Sequence, residues 1–118
     1  MDGWAVVLTI NTGNWTISKE TAYEYNSFQG EQPALAQVDS THYLCAYQGP
    51  GSDGWAVVLT VDTDNWTISE RSEFEYDSLQ GTNPALEQID SGNYLCVYTG
   101  PGSVGCSVIL KPGGDLQP

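Results

Sequence analysis

Apolar residues fall into short runs divided by clusters of Gly, Pro, Asn, Asp and Ser, and the runs are of two kinds. Trp55 to Val61 and Tyr94 to Tyr98 are apolar at consecutive positions, which predicts strands covered on both faces. Trp66 to Asp77 alternates instead, with Ile68, Phe74 and Tyr76 on one side and Thr67, Ser69, Arg71, Glu73 and Glu75 on the other. That pattern predicts a longer strand at an exposed, carboxylate-defended edge. Pro84 to Ile89 reads as a short strand opening on its proline, a tolerated place for it. Asp62 to Asn65 and Asp90 to Asn93 read as turns, Ser78 to Asn83 as a loop, and the Gly-Pro-Gly-Ser stretches after Tyr47 and Tyr98 as hairpin connections.

The pattern repeats. Residues 2–52 match residues 53–103 without a gap, about two thirds of the positions being identical, and 104–111 begin a third copy that decays into Lys111-Pro112-Gly113-Gly114-Asp115. A four-stranded antiparallel unit recurring at this spacing predicts an all-β chain of β-propeller blades. The frame places the last two strands of one blade at Gly3 to Asn26, a whole blade at Pro33 to Asp77, and the first two or three strands of another at Pro84 to Leu110, with 112–118 as a tail. About two blades per chain cannot cover their own faces, so completion by homo-oligomerisation is expected.

Composition narrows the classes. Thirteen Gly and six Pro with only three Lys and Arg suit strands and turns and leave no candidate helix. The net charge of -12 repels phosphates and anionic lipids, so neither nucleic acid nor membrane is an expected partner. Met1 runs straight into Asp2-Gly3-Trp4, with no signal peptide pattern and no run long enough to span a membrane. An acid-rich, lysine-poor surface favours an extracellular or cell-surface setting for the parent protein. Cys45 and Cys96 are repeat equivalents and Cys106 follows through a hairpin, so all three are expected as buried free thiols.

The run His42 to Trp55, with Glu75-Tyr76-Asp77 upstream of Pro84-Ala85-Leu86, resembles blades of highly repetitive microbial β-propellers, in which a Tyr-x-x-Ala-Tyr-x-Gly-Pro-Gly-x-Asp-Gly stretch recurs. The resemblance covers all but the last residues and implies the fold; it implies nothing about a ligand. Some small fungal and bacterial lectins are likewise two-blade chains that trimerise, a likeness of architecture only.

Trp4, Trp55, Tyr43, Tyr94, Tyr47, Tyr98 and Leu59 are the expected inter-blade packing residues. The faces formed by Trp55, Val57, Leu59, Tyr94, Cys96, Tyr98 and their counterparts are expected to drive association. Trp15 and Trp66, which open the outermost strand, and Gln29 and Gln80, on loops, are candidate sugar contacts. Asn14 and Asn65 stand in Asn-Trp-Thr, a glycosylation sequon. Asp62, Asp64 and Asp90 are read as a solvated acidic rim rather than a Ca²⁺ site, because the first copy has Asn11, Gly13 and Asp39 there. His42 is read as an exposed turn residue. Glu24 and Glu75 repeat, but two copies of one environment do not separate the pKa values that a glycosidase pair needs. No cofactor, metal or catalytic residue is expected.

Overall fold

The computed structural model describes residues 1–112, and these form nine strands in three antiparallel sheets with no α-helix among them. Strands β1 (Gly3–Asn11) and β2 (Thr16–Asn26) make the first sheet. The middle sheet holds β3 (Glu31–Gln37), β4 (His42–Gln48), β5 (Gly54–Asp62) and β6 (Thr67–Asp77), in that order. The last sheet holds β7 (Thr82–Asp90), β8 (Asn93–Thr99) and β9 (Gly105–Leu110). Most of the expected tail, 113–118, lies outside the described residues. The all-β class and the four-stranded antiparallel unit follow the hydrophobic pattern.

The middle sheet is packed on both faces because its strands are apolar at consecutive positions. Cys45, Tyr47, Val57, Leu59 and Ile68 turn towards Ala5, Val7, Tyr23 and Tyr25 of the first sheet. Leu44, Ala46, Ala56, Val58 and Tyr76 turn the other way, towards Tyr94, Cys96, Leu86, Val108 and Leu110 of the last. Burying each Val, Leu or Ile among them contributes roughly 1.5–3 kcal/mol, so β4 and β5 carry the fold.

Several expectations change at irregular positions. Leu59 pairs with Glu70 and Val58 with Ser72, which leaves Arg71 as an extra residue in β6. A β-bulge reverses the alternation, so Ile68 joins the first core and Tyr76 the second, instead of sharing one side. Trp66 does not open the outer strand: it lies in the turn before β6 with φ 58°, as Trp15 does before β2. A left-handed conformation costs a tryptophan roughly 1 kcal/mol or more. Pro84 is inside β7 rather than at its start, at a register slip between Thr82 and Ala85 where left-handed Asn83 forms the bulge and no ladder donor is needed. His42 is half-buried at the start of β4, its Nδ1 2.8 Å from Asp39 Oδ1. Cys106 is partly exposed and pairs with Tyr98, not Cys96.

Candidate functional site

The most informative geometry is the step from one sheet to the next, because it occurs twice with equivalent residues. Tyr25 and Tyr47 meet edge-to-face with centroids 4.8 Å apart across the first step. Tyr76 and Tyr98, each 51 positions on, do the same at 4.8 Å across the second. Asn26 Nδ2 donates to the Tyr47 hydroxyl at 3.3 Å, and the Tyr98 hydroxyl donates to Asp77 Oδ2 at 3.0 Å. The connecting chain is pinned alike: Gly30 N donates to Met1 O and Gly81 N to Ser52 O, both at 2.9 Å. Gly81 crosses Gly54 so closely that a Cβ on it would lie 2.3 Å from the Gly54 Cα, and Tyr76 closes over the crossing by donating to Gly81 O at 3.3 Å. Only glycine fits such a crossing.

The tyrosines and thiols of these interfaces are uncharged at neutral pH. The one carboxylate among these contacts, Asp77, is held below the usual carboxylate range, despite partial burial that acts the other way, by the amides of Leu79 and Gln80 and the Tyr98 hydroxyl. Burial pushes Tyr47 and Tyr98 up to about 12, and the Cys45 and Cys96 thiols to about 12 and about 11. Tyr25 and Tyr76 are raised further by the same cause.

The outward faces of the two terminal sheets repeat the chemistry of the middle sheet without its cover. On β1 and β2, Val6, Leu8 and Ile17 are 43%, 58% and 67% exposed, whereas their equivalents Val57, Leu59 and Ile68 are 0%, 3% and 9% exposed. On the last sheet, Leu95 and Ile109 are 36% and 54% exposed, against 0% and 1% for Leu44 and Val58. Contiguous apolar patches of this kind mark interaction sites. The residues expected to drive association are instead turned inward, Trp55, Val57 and Leu59 against the first sheet and Tyr94, Cys96 and Tyr98 against the middle one, and the open faces are those of Val6, Leu8 and Ile17 and of Leu95 and Ile109.

A groove of about 410 Å³ runs beside the open edge of β1, floored by Leu35, Tyr43, Leu59, Val61, Trp66 and Ile68. It exists because, among the described residues, the first sheet has only two strands, so the face of β3 turned that way is uncovered and Leu35 is 65% exposed, while the other face of β3 packs on β7.

The other sequence candidates divide. Tyr47, Tyr94 and Leu59 are buried, while Tyr43, Tyr98 and Trp55 are half-buried, and Trp55 Nε1 is buried without a hydrogen-bond partner. Trp4 is exposed on the outer face of β1. Trp15 is exposed, and Trp66 lines the groove, but neither Gln29 nor Gln80 does. Those glutamines brace their own loops, Gln29 on Glu31 and Gln80 on Thr82 Oγ1. Asn14 and Asn65 accept from the amide and hydroxyl of Thr16 and Thr67, which shapes the turns.

The carboxylates also serve turns. Asp39, Asp62 and Asp90 accept from the amides of Thr41, Asp64 and Gly92. Backbone hydrogen bonds hold Asp39 and Asp90 below the usual carboxylate range, helped by the side chains of His42 and Asn93. Glu24 and Glu75 are raised, each first by a hydrogen bond to an acidic neighbour, Asp2 and Asp53 respectively. These surface pairs are two copies of one arrangement. Among the described residues no three His, Cys, Asp or Glu side chains form a group suited to a metal.

Tyr25 and Leu35 were absent from the residues singled out by sequence reasoning, and Tyr76 entered only as a strand and motif position. Their recurrence at the repeat spacing, as Tyr-x4-Gly and Pro-Ala-Leu, was the available signal. No protein-family model matches the chain, and no curated protein matches it either.

Proposed function

We propose that this protein is a non-catalytic assembly module, a set of β-propeller blades that joins further copies of itself side by side into a closed homo-oligomeric ring and serves as a binding or structural scaffold. The observation that carries the reading is the contrast in exposure between repeat equivalents: the residues open on the terminal sheets are those the middle sheet buries. Each sheet already receives its neighbour through one repeated set of contacts, and a second copy offers the same partners to the open faces. The resemblance of His42 to Trp55 to repetitive microbial propellers supports it. Burial at about 25 cal/mol per Å² of apolar surface supplies the driving force. Light scattering after size-exclusion chromatography tests it: a single species at an integral multiple of 12.8 kDa is expected, and a stable monomer at high concentration overturns it.

A second reading, a multivalent carbohydrate-binding lectin of the same shape, is favoured by exposed Trp15 and by Trp66 in the lining of the groove. Binding on a glycan array that disappears in Trp15→Ala/Trp66→Ala supports it, and absence of binding to any sugar removes it. A filament, in which the rotation between copies does not close, is the remaining form of self-assembly.

A further inference from the structure

We infer that the groove beside β1 receives the β7–β8 hairpin of a second copy, with β8 of that copy pairing along the open edge of β1, and that β9 occupies this pairing position only until such a copy arrives. The inference rests on the self-assembly reading and specifies which segment docks and what it displaces.

Strand β1 is the repeat equivalent of β5, which is paired on both sides, by β4 and by β6. Among the described residues only β2 pairs with β1, so its other edge is an unpaired row of donors and acceptors alongside an apolar groove. The segment equivalent to the missing β4 is β8. Copying the β4–β5 register, in which Tyr43, Cys45 and Tyr47 face Leu59, Val57 and Trp55, places Tyr94, Cys96 and Tyr98 of a second copy opposite Leu8, Val6 and Trp4. Leu95 and Val97 of that copy then turn onto Leu35 and Tyr43, as Leu44 and Ala46 turn onto the last sheet within the chain. The Tyr94 hydroxyl donates to Gln37 O at 2.6 Å. By the same placement Tyr43, now half-buried, gains the main-chain carbonyl of Gln88 of the second copy.

The β8 edge is not free in the single chain, since β9 pairs with it from Tyr94–Leu110 to Thr99–Gly105. Yet β9 is a weak copy of β1. It has Cys106 and Ser107 where β1 has Trp4 and Ala5, and Lys111 and Pro112 where β1 continues with Thr9 and Ile10. It is six residues long against nine, and among the described residues no strand pairs with its outer edge. A Cβ on Gly105 would meet nothing within 4 Å, whereas its equivalent Gly54 is clamped under Tyr76. Replacing β9 by β1 and β2 of another copy gives a four-stranded sheet like the middle one, and each chain then contributes one complete sheet and half of each of two shared ones.

Hydrogen exchange on the full chain, read with its mass by light scattering at the same concentrations, tests this directly. In the oligomer, amides on the open edge of β1 are expected to exchange at least about tenfold more slowly than in the dilute monomer, while those of Gly105 to Leu110 exchange faster. An oligomer in which β9 stays protected and the β1 edge stays open overturns the inference and leaves self-assembly standing. A monomer at all concentrations overturns both. Ile109→Pro, at an exposed position of β9, weakens the competitor and is expected to lower the concentration for half-assembly by about tenfold or more; an unchanged or raised concentration overturns the displacement of β9.

Discussion

The middle sheet and the two terminal sheets are built from nearly the same residues, yet the central strands of the middle sheet, β4 and β5, are covered on both faces and those of the others on one. The difference lies in neighbours alone. Val57 and Val6 occupy equivalent strand positions, and what separates 0% from 43% exposure is a sheet on one side. An apolar strand is thus a core or an adhesive surface according to what stands beside it, which is why a repeated sequence reads so easily as a unit and so poorly as a whole.

Equivalent substitutions break the comparison most strongly. Val57→Asp buries an unpaired carboxylate and is expected to cost about 3–5 kcal/mol in denaturant unfolding. Val6→Asp places the same charge on an open face; it is expected to leave the dilute chain within about 0.5 kcal/mol of the parent while abolishing the oligomer. Similar losses at the two positions would deny that the faces differ. Next comes the glycine crossing. Gly54→Ala drives a methyl into the Tyr76 ring and is expected to cost about 1–3 kcal/mol, whereas Gly105→Ala, with open space around it, should be near neutral by thermal unfolding.

Thiol labelling sharpens the contrast at a smaller scale. Cys45 and Cys96 sit in the two cores with raised thiols, while Cys106 is partly exposed. One fast-reacting and two slow thiols are expected at mild alkaline pH with a mass-resolved alkylating agent, and equal rates would mean the cores open readily.

The smallest effect is on pH. Glu24 and Glu75 have folded pKa values raised above their unfolded ones, so the stability they contribute is present in full below the ordinary carboxylate range and fades as pH rises through the raised values. Asp39 and Asp90 are lowered, so theirs is present above that range and is lost on acidification. Glu75→Gln is accordingly expected to raise the melting temperature slightly at pH 7 and to lose that gain near pH 4. A gain that persists at low pH would show that the Asp53 pairing is not its source.

The hydrophobic pattern made the all-β class, the strands around Trp55 to Val61 and Tyr94 to Tyr98, and the partial nature of the terminal units legible. Local steric exceptions were not legible. The extra residue at Arg71, which sends Ile68 and Tyr76 to opposite cores, has no signature in a strand that alternates cleanly on paper. Trp66 in a left-handed turn, and Pro84 beyond a bulge rather than at a strand end, are similarly invisible; exposed Trp15 takes the same φ as Trp66, so closure of the turn rather than core packing sets it. The inward turn of Tyr94, Cys96 and Tyr98 also lay beyond the sequence, since a strand apolar on both faces does not say which face has a neighbour.

By itself, then, the amino-acid sequence determined the strands, their repeat and the likeness of every sheet, because strand periodicity and turn chemistry act over a few residues. Only the tertiary structure decided which equivalent faces are covered, which edges of β1 and β8 are paired, and where a groove remains. Those outcomes depend on how many copies of the unit are present to stack, and near-identical residues 51 positions apart cannot encode their own place in the row.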